Sequence, residues 1–91
     1  MYHAFFQNIF IHGSHGMYFH DFALMGLIDL ISISLDNCGI ETPPTIKWAC
    51  YNLQVVAFPN NRIAHLSMDY FYGCLKLYQL NLQNNLLFNV F

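Results

Sequence analysis

Charge is what this 91-residue sequence has least of: three Lys/Arg and five Asp/Glu make up 9% of it, with a formal net charge of -2. A nucleic-acid or polyanion site draws on clustered Lys and Arg, and Lys47, Arg62 and Lys76 are scattered, so no nucleic-acid partner is expected. The carboxylates Asp21, Asp29, Asp36, Glu41 and Asp69 follow no common spacing, and G-x-S-x-G, P-loop, H-E-x-x-H and G-x-G-x-x-G patterns are all missing. The expectation is therefore no enzyme, no cofactor and no small-molecule substrate. A membrane-crossing helix needs about 20 apolar residues in succession. The best run, Phe22 to Leu35, spans 14 and contains Asp29, so any membrane link is expected only through a region outside this chain. The opening stretch has no Lys or Arg to begin a secretory leader, and there is no N-x-S/T sequon. His12 and His15 with His20-Asp21 could be gathered around a metal, but without a fourth ligand or a defined spacing they are expected to be solvated loop histidines, and no metal site is assigned.

What the chain has is hydrophobic mass: 56% of the residues, with a mean hydropathy of +0.35. A compact globule of this size buries little surface, so such a composition in a chain without a spanning helix points to a slice of a larger stacked array. The order in that mass is clearest in the last third. Leu77-Tyr78-Gln79-Leu80-Asn81-Leu82-Gln83-Asn84-Asn85-Leu86-Leu87 follows L-x-x-L-x-L-x-x-N-x-L throughout. Moving back 24 residues, Leu53, Val56, Phe58, Asn61 and Ile63 hold the same phases. A further step of 23 gives Leu30, Ile33, Leu35, Cys38 and Ile40, and a step of 24 beyond that gives Phe6, Ile9, Ile11, Ser14 and Gly16, the most degraded set.

On these residues the chain resembles the extracellular, 24-residue class of leucine-rich repeats found in Toll-like receptor ectodomains and related surface proteins. The resemblance implies an α/β-type leucine-rich-repeat solenoid, a horseshoe segment with short parallel strands on its concave face and an irregular, 3-10 or short helical convex side. It divides residues 1-91 into one array of units 6-29, 30-52, 53-76 and an incomplete 77-91. Both ends are expected to be uncapped, with the chain a fragment of something longer. Phe71 takes the phase of the spine aromatic, Leu66 follows Ile63, and either Ile46 or Trp48 must serve as the spine residue of the second unit, where Pro43-Pro44 exclude helix.

Alternation along each strand sends Leu80 and Leu82 to the core and Gln79, Asn81 and Gln83 to the concave surface. Across the units the outward columns run Asn8, Ser32, Val55, Gln79; Phe10, Ser34, Ala57, Asn81; and His12, Asp36, Pro59, Gln83. From these, Ser32, Ser34, Asp36, Val55, Ala57, Gln79, Asn81 and Gln83 are the candidate partner-binding residues. Cys38, Asn61 and Asn85 are structural ladder residues, whose side chains satisfy backbone groups of the turn after each strand. Three cysteines cannot all pair within the chain. Cys50 and Cys74, sharing a phase where Leu is expected, are read as buried free thiols in preference to a bridge.

The resemblance implies a non-enzymatic module that recognises a protein partner within a receptor-like or adhesion ectodomain at the cell surface. An intracellular scaffold in the cytoplasm, favoured by unpaired cysteines and the missing sequon, and a spacer without binding of its own remain the alternatives. Open strand edges and apolar end faces further lead one to expect that the isolated chain associates or is partly disordered.

Overall fold

A computed structural model describes residues 7–14, 29–47, 49–67 and 69–87. Four strands, β1 (Asn8–His12), β2 (Ser32–Asp36), β3 (Val55–Ala57) and β4 (Gln79–Asn81), form one parallel sheet in chain order. Asn8 lies opposite Ser32, Ser32 opposite Val55, and Val55 opposite Gln79, so neighbouring strands meet at steps of 24, 23 and 24 residues. The strands form where apolar and small polar residues alternate. Ile33, Leu35 and Val56 are fully buried on one face, whereas Ser32, Ser34, Val55 and Ala57 on the other are half-exposed.

Each strand is followed, one or three residues on, by a residue with left-handed backbone: Gly13, Asn37, Asn60 and Asn84 have φ of 73°, 55°, 58° and 59°. Glycine and asparagine are the residues that adopt this conformation most readily, which turns the chain out of the sheet at the same phase each time. Between strands the described residues form turns and extended segments without a helix. Isolated turn bonds such as Ala49 N to Ile46 O (3.0 Å) and Cys74 N to Phe71 O (3.0 Å) do not propagate.

The core lies between the buried face of the sheet and the returning segments. Leu30, Ile33, Leu35, Leu53, Val56, Phe58 and Ile63 are fully buried, joined from the returning side by Ile46, Ala49, Leu66, Cys50 and Cys74. Ile46 fills the second unit's inner position; Trp48, its rival, lies outside the described residues, as do Phe6, Phe19, Leu24 and Leu27 of the first unit and Val90 and Phe91 at the end. Phe71 packs half-buried against the core and meets Tyr70 edge-on, with ring centroids 4.9 Å apart. The Tyr70 hydroxyl donates to Pro44 O one unit back, and burial pushes its pKa up.

Two expectations are corrected here. Cys50 and Cys74 are not free thiols: they form a disulfide, with Cα atoms 4.4 Å apart, and Cys38 is the free, buried cysteine. Their shared phase and the in-register pairing of consecutive strands bring the two positions together, so a phase suited to Leu is equally suited to a bridge. Leu80 is not in the core either, being 45% exposed, and Leu82 and Leu87 are only half-buried. β4 is the last strand of the sheet, so β3 covers its inward side chains on one side and no strand among the described residues covers them on the other.

Candidate binding face and its polar ladders

The outward face of the sheet carries the candidate residues in three short columns. Ser32 stands beside Val55 and Val55 beside Gln79, and Ser34 stands beside Ala57 and Ala57 beside Asn81. At the β1 end the columns continue into Asn8 and Phe10, and Phe10 is 73% exposed. Asp36 is half-buried and Gln83 exposed at the strand ends. Pro59, expected between them on the surface, is instead buried, since a ring without a polar end packs inward where the chain begins to turn.

Beneath this face Asn61, 6% exposed, meets its hydrogen-bonding capacity within the protein. Its Oδ1 accepts from Cys38 N (2.9 Å) and Ile40 N (3.2 Å), and its Nδ2 donates to Leu35 O (2.8 Å) and Pro59 O (3.0 Å). Asn85 repeats the pattern one unit on, accepting from Ile63 N (3.0 Å) and donating to Phe58 O (2.8 Å), Leu82 O (3.1 Å) and Gln83 O (3.4 Å). Cys38 holds the same phase with its thiol directed at Asp36 O (3.4 Å) and Ile11 O (3.8 Å). Each of these side chains joins the end of its own strand to the strand before it, so turn groups that water cannot reach are paired.

A second, outer row was missed by sequence reasoning. Asn84 Nδ2 donates to Asn60 Oδ1 (2.8 Å), Asn60 Nδ2 donates to Asp36 Oδ1 (2.9 Å), and Asp36 Oδ2 meets His12 Nδ1 (3.1 Å). The row runs along one rim of the face from β1 to the turn after β4. The bond from Asn60 chiefly holds the Asp36 carboxyl below its ordinary pKa of 3.8; desolvation opposes it, and the bond and charge of His12 add smaller lowering effects. The signal that could have found the row was the recurrence of Gly13, Asn37, Asn60 and Asn84 at the strand ends.

On the returning side, Lys76 Nζ sits 5.1 Å above the Tyr51 ring and donates to Asn52 Oδ1 (3.2 Å). Asp69 accepts from the Ser67 hydroxyl (2.8 Å), and that bond and the Lys47 charge lower its pKa. Among the described residues no three His, Cys, Asp or Glu side chains are gathered to hold a metal ion.

The outward face thus offers small polar groups, amides, short apolar side chains and one exposed aromatic ring. Among the described residues its ionisable side chains are His12 and Asp36, at the rim. Such a surface makes hydrogen bonds and apolar contacts without strong electrostatic selection. Comparison of the chain with protein-family models, with curated proteins and with solved structures finds no match.

Proposed function

We propose that this chain is a segment of a leucine-rich-repeat solenoid that recognises a protein partner, without catalysis, as part of a receptor-like or adhesion ectodomain. The observation that carries the reading is the recurring step of 23 or 24 residues between neighbouring strands, with Cys38, Asn61 and Asn85 occupying one hydrogen-bonding phase. A stack of one supersecondary unit accounts for that recurrence, and such stacks present their strand face to partners. Ser32, Ser34, Asp36, Val55, Ala57, Gln79, Asn81 and Gln83 form the contact surface. Protein is the partner class the face suits, because its amides and hydroxyls match backbone groups and it has no basic cluster for nucleic acid.

The disulfide between Cys50 and Cys74 favours an oxidising, extracellular setting over the cytoplasm. That weighs against the intracellular scaffold, for which the thiol of Cys38 and the missing sequon still speak.

The test displays the chain on cells and probes it with purified extracellular ectodomains. Ser34→Arg or Asn81→Arg is expected to weaken a bound ectodomain by about tenfold or more, roughly 1.4 kcal/mol, while Leu75→Arg, on the returning side, leaves it unchanged. Binding that ignores the two face substitutions would overturn the assignment of the surface. A panel without any binder would favour the spacer reading.

A further inference from the structure

We propose that two copies of this chain join head to tail, β4 of one pairing in parallel with β1 of the next, so that the sheet runs on across the junction. The inference rests on strand geometry and concerns residues 1–91 by themselves; in the longer solenoid proposed above, adjoining units would occupy the same two edges.

The two edges are complementary in their backbone groups. Gln54 O accepts from both Tyr78 N (3.0 Å) and Gln79 N (3.2 Å), and Asn81 O accepts from Phe58 N (2.8 Å). Gln79 and Asn81 therefore face β3, and strand alternation turns the amides and carbonyls of Leu80 and Leu82 to the open side. At the other end, Gln7 O accepts from Ile31 N (2.7 Å) and Ser32 N (3.0 Å), and Gly13 N donates to Asp36 O (2.9 Å). Odd-numbered residues of β1 thus face β2, leaving the backbone groups of Asn8, Phe10 and His12 on the open side.

Repeating the internal register across the junction sets Asn8 beside Gln79, Ile9 beside Leu80 and Phe10 beside Asn81. The half-buried Ile9 and Ile11 would then cover the inner side of Leu80, now 45% exposed.

Neither strand carries the Lys, Pro or inward charge that guards many sheet edges: Asn-Ile-Phe-Ile-His and Gln-Leu-Asn contain none of these, and the one such device present is the shortness of β4, three residues long. The contact uses different surfaces on the two copies, so a joined pair keeps one unused edge at each end and further copies add to it as concentration rises.

The test mixes two single variants of the 91-residue chain, Asn8→Cys and size-tagged Gln79→Cys, under mild oxidation. Cross-linked product joining position 8 to position 79 is expected to dominate. Dominant 8–8 or 79–79 product, or no cross-link, overturns the proposal. Light scattering on uncross-linked chains adds a second readout, with circular dichroism showing that each variant keeps the wild-type spectrum. The doubly substituted Asn8→Lys/Gln79→Lys chain sets like charges opposite each other and is expected to associate roughly two- to fivefold more weakly. Asn8→Glu/Gln79→Lys is expected to restore association. Indifference to the charge arrangement, or a folded monomer at every concentration, also overturns it.

Discussion

Asn61 shows how much a single side chain can hold when the alternative is an unpaired group in the core. It joins the turn after β2 to the turn after β3 through four hydrogen bonds. Asn61→Leu adds apolar surface but strands Cys38 N, Ile40 N and Leu35 O, and each buried group left unsatisfied costs about 1–3 kcal/mol. The variant is expected to lower the denaturation midpoint despite its greater hydrophobicity, and an unchanged midpoint would refute the ladder role. Tyr70 makes a comparable link on the returning side. Its folded pKa is raised by burial, so the stability it contributes is complete below the ordinary value of 10.0 and is lost as pH rises above it, where the unfolded chain ionises first. Tyr70→Phe should cost about 1 kcal/mol at neutral pH and flatten the alkaline loss of stability, measured by denaturant melts between neutral pH and pH 11. Asp36 has the opposite sign. Its lowered pKa contributes stability above pH 3.8 that disappears as pH falls through the folded value.

At the scale of the element, the Cys50–Cys74 disulfide joins consecutive returning segments, 24 residues apart. Closing a loop of that length removes freedom from the unfolded chain, a contribution of about 3 kcal/mol. Reduction, or the double variant Cys50→Ala/Cys74→Ala, is expected to lower the melting temperature, and a melt indifferent to reductant would deny the bridge a stabilising role. The strands were legible in the sequence because alternation and the step of 23 or 24 residues together specify which side chains face inward; Ile33, Leu35, Val56 and Phe58 are buried as their phases require. The bridge was not legible, because phase specifies proximity and says nothing of redox state. Leu80 was misplaced for a related reason. Its phase is inward, but burial takes a neighbour on each side, and a pattern along one strand does not contain that information. Alternation did set His12 beside Asp36, at the ends of β1 and β2, but it could not carry the row on to Asn60 and Asn84, which are turn residues, where strand parity has ended and the left-handed backbone directs the side chain.

For the whole molecule, the reading as a stack of one unit implies that stability is a sum of units and interfaces. Inserting an extra copy of residues 53–76 after Lys76, with its cysteine replaced by Ala, is expected to raise the melting temperature while keeping one cooperative transition. A drop, or two separate transitions, would argue against equivalent units. The bridge between Cys50 and Cys74 has one more consequence, which appears under tension. Strands arranged side by side in chain order peel off one at a time when the two ends are pulled, each releasing its own length of slack. The segment between the two sulfurs cannot be paid out. At roughly 3.3–3.6 Å per extended residue, the 24-residue span of the bridge withholds about 80 Å of contour length until it is reduced. A stretched chain would therefore show one missing step in its force trace, restored by reductant, and its oxidised form would behave as a shorter and stiffer tether.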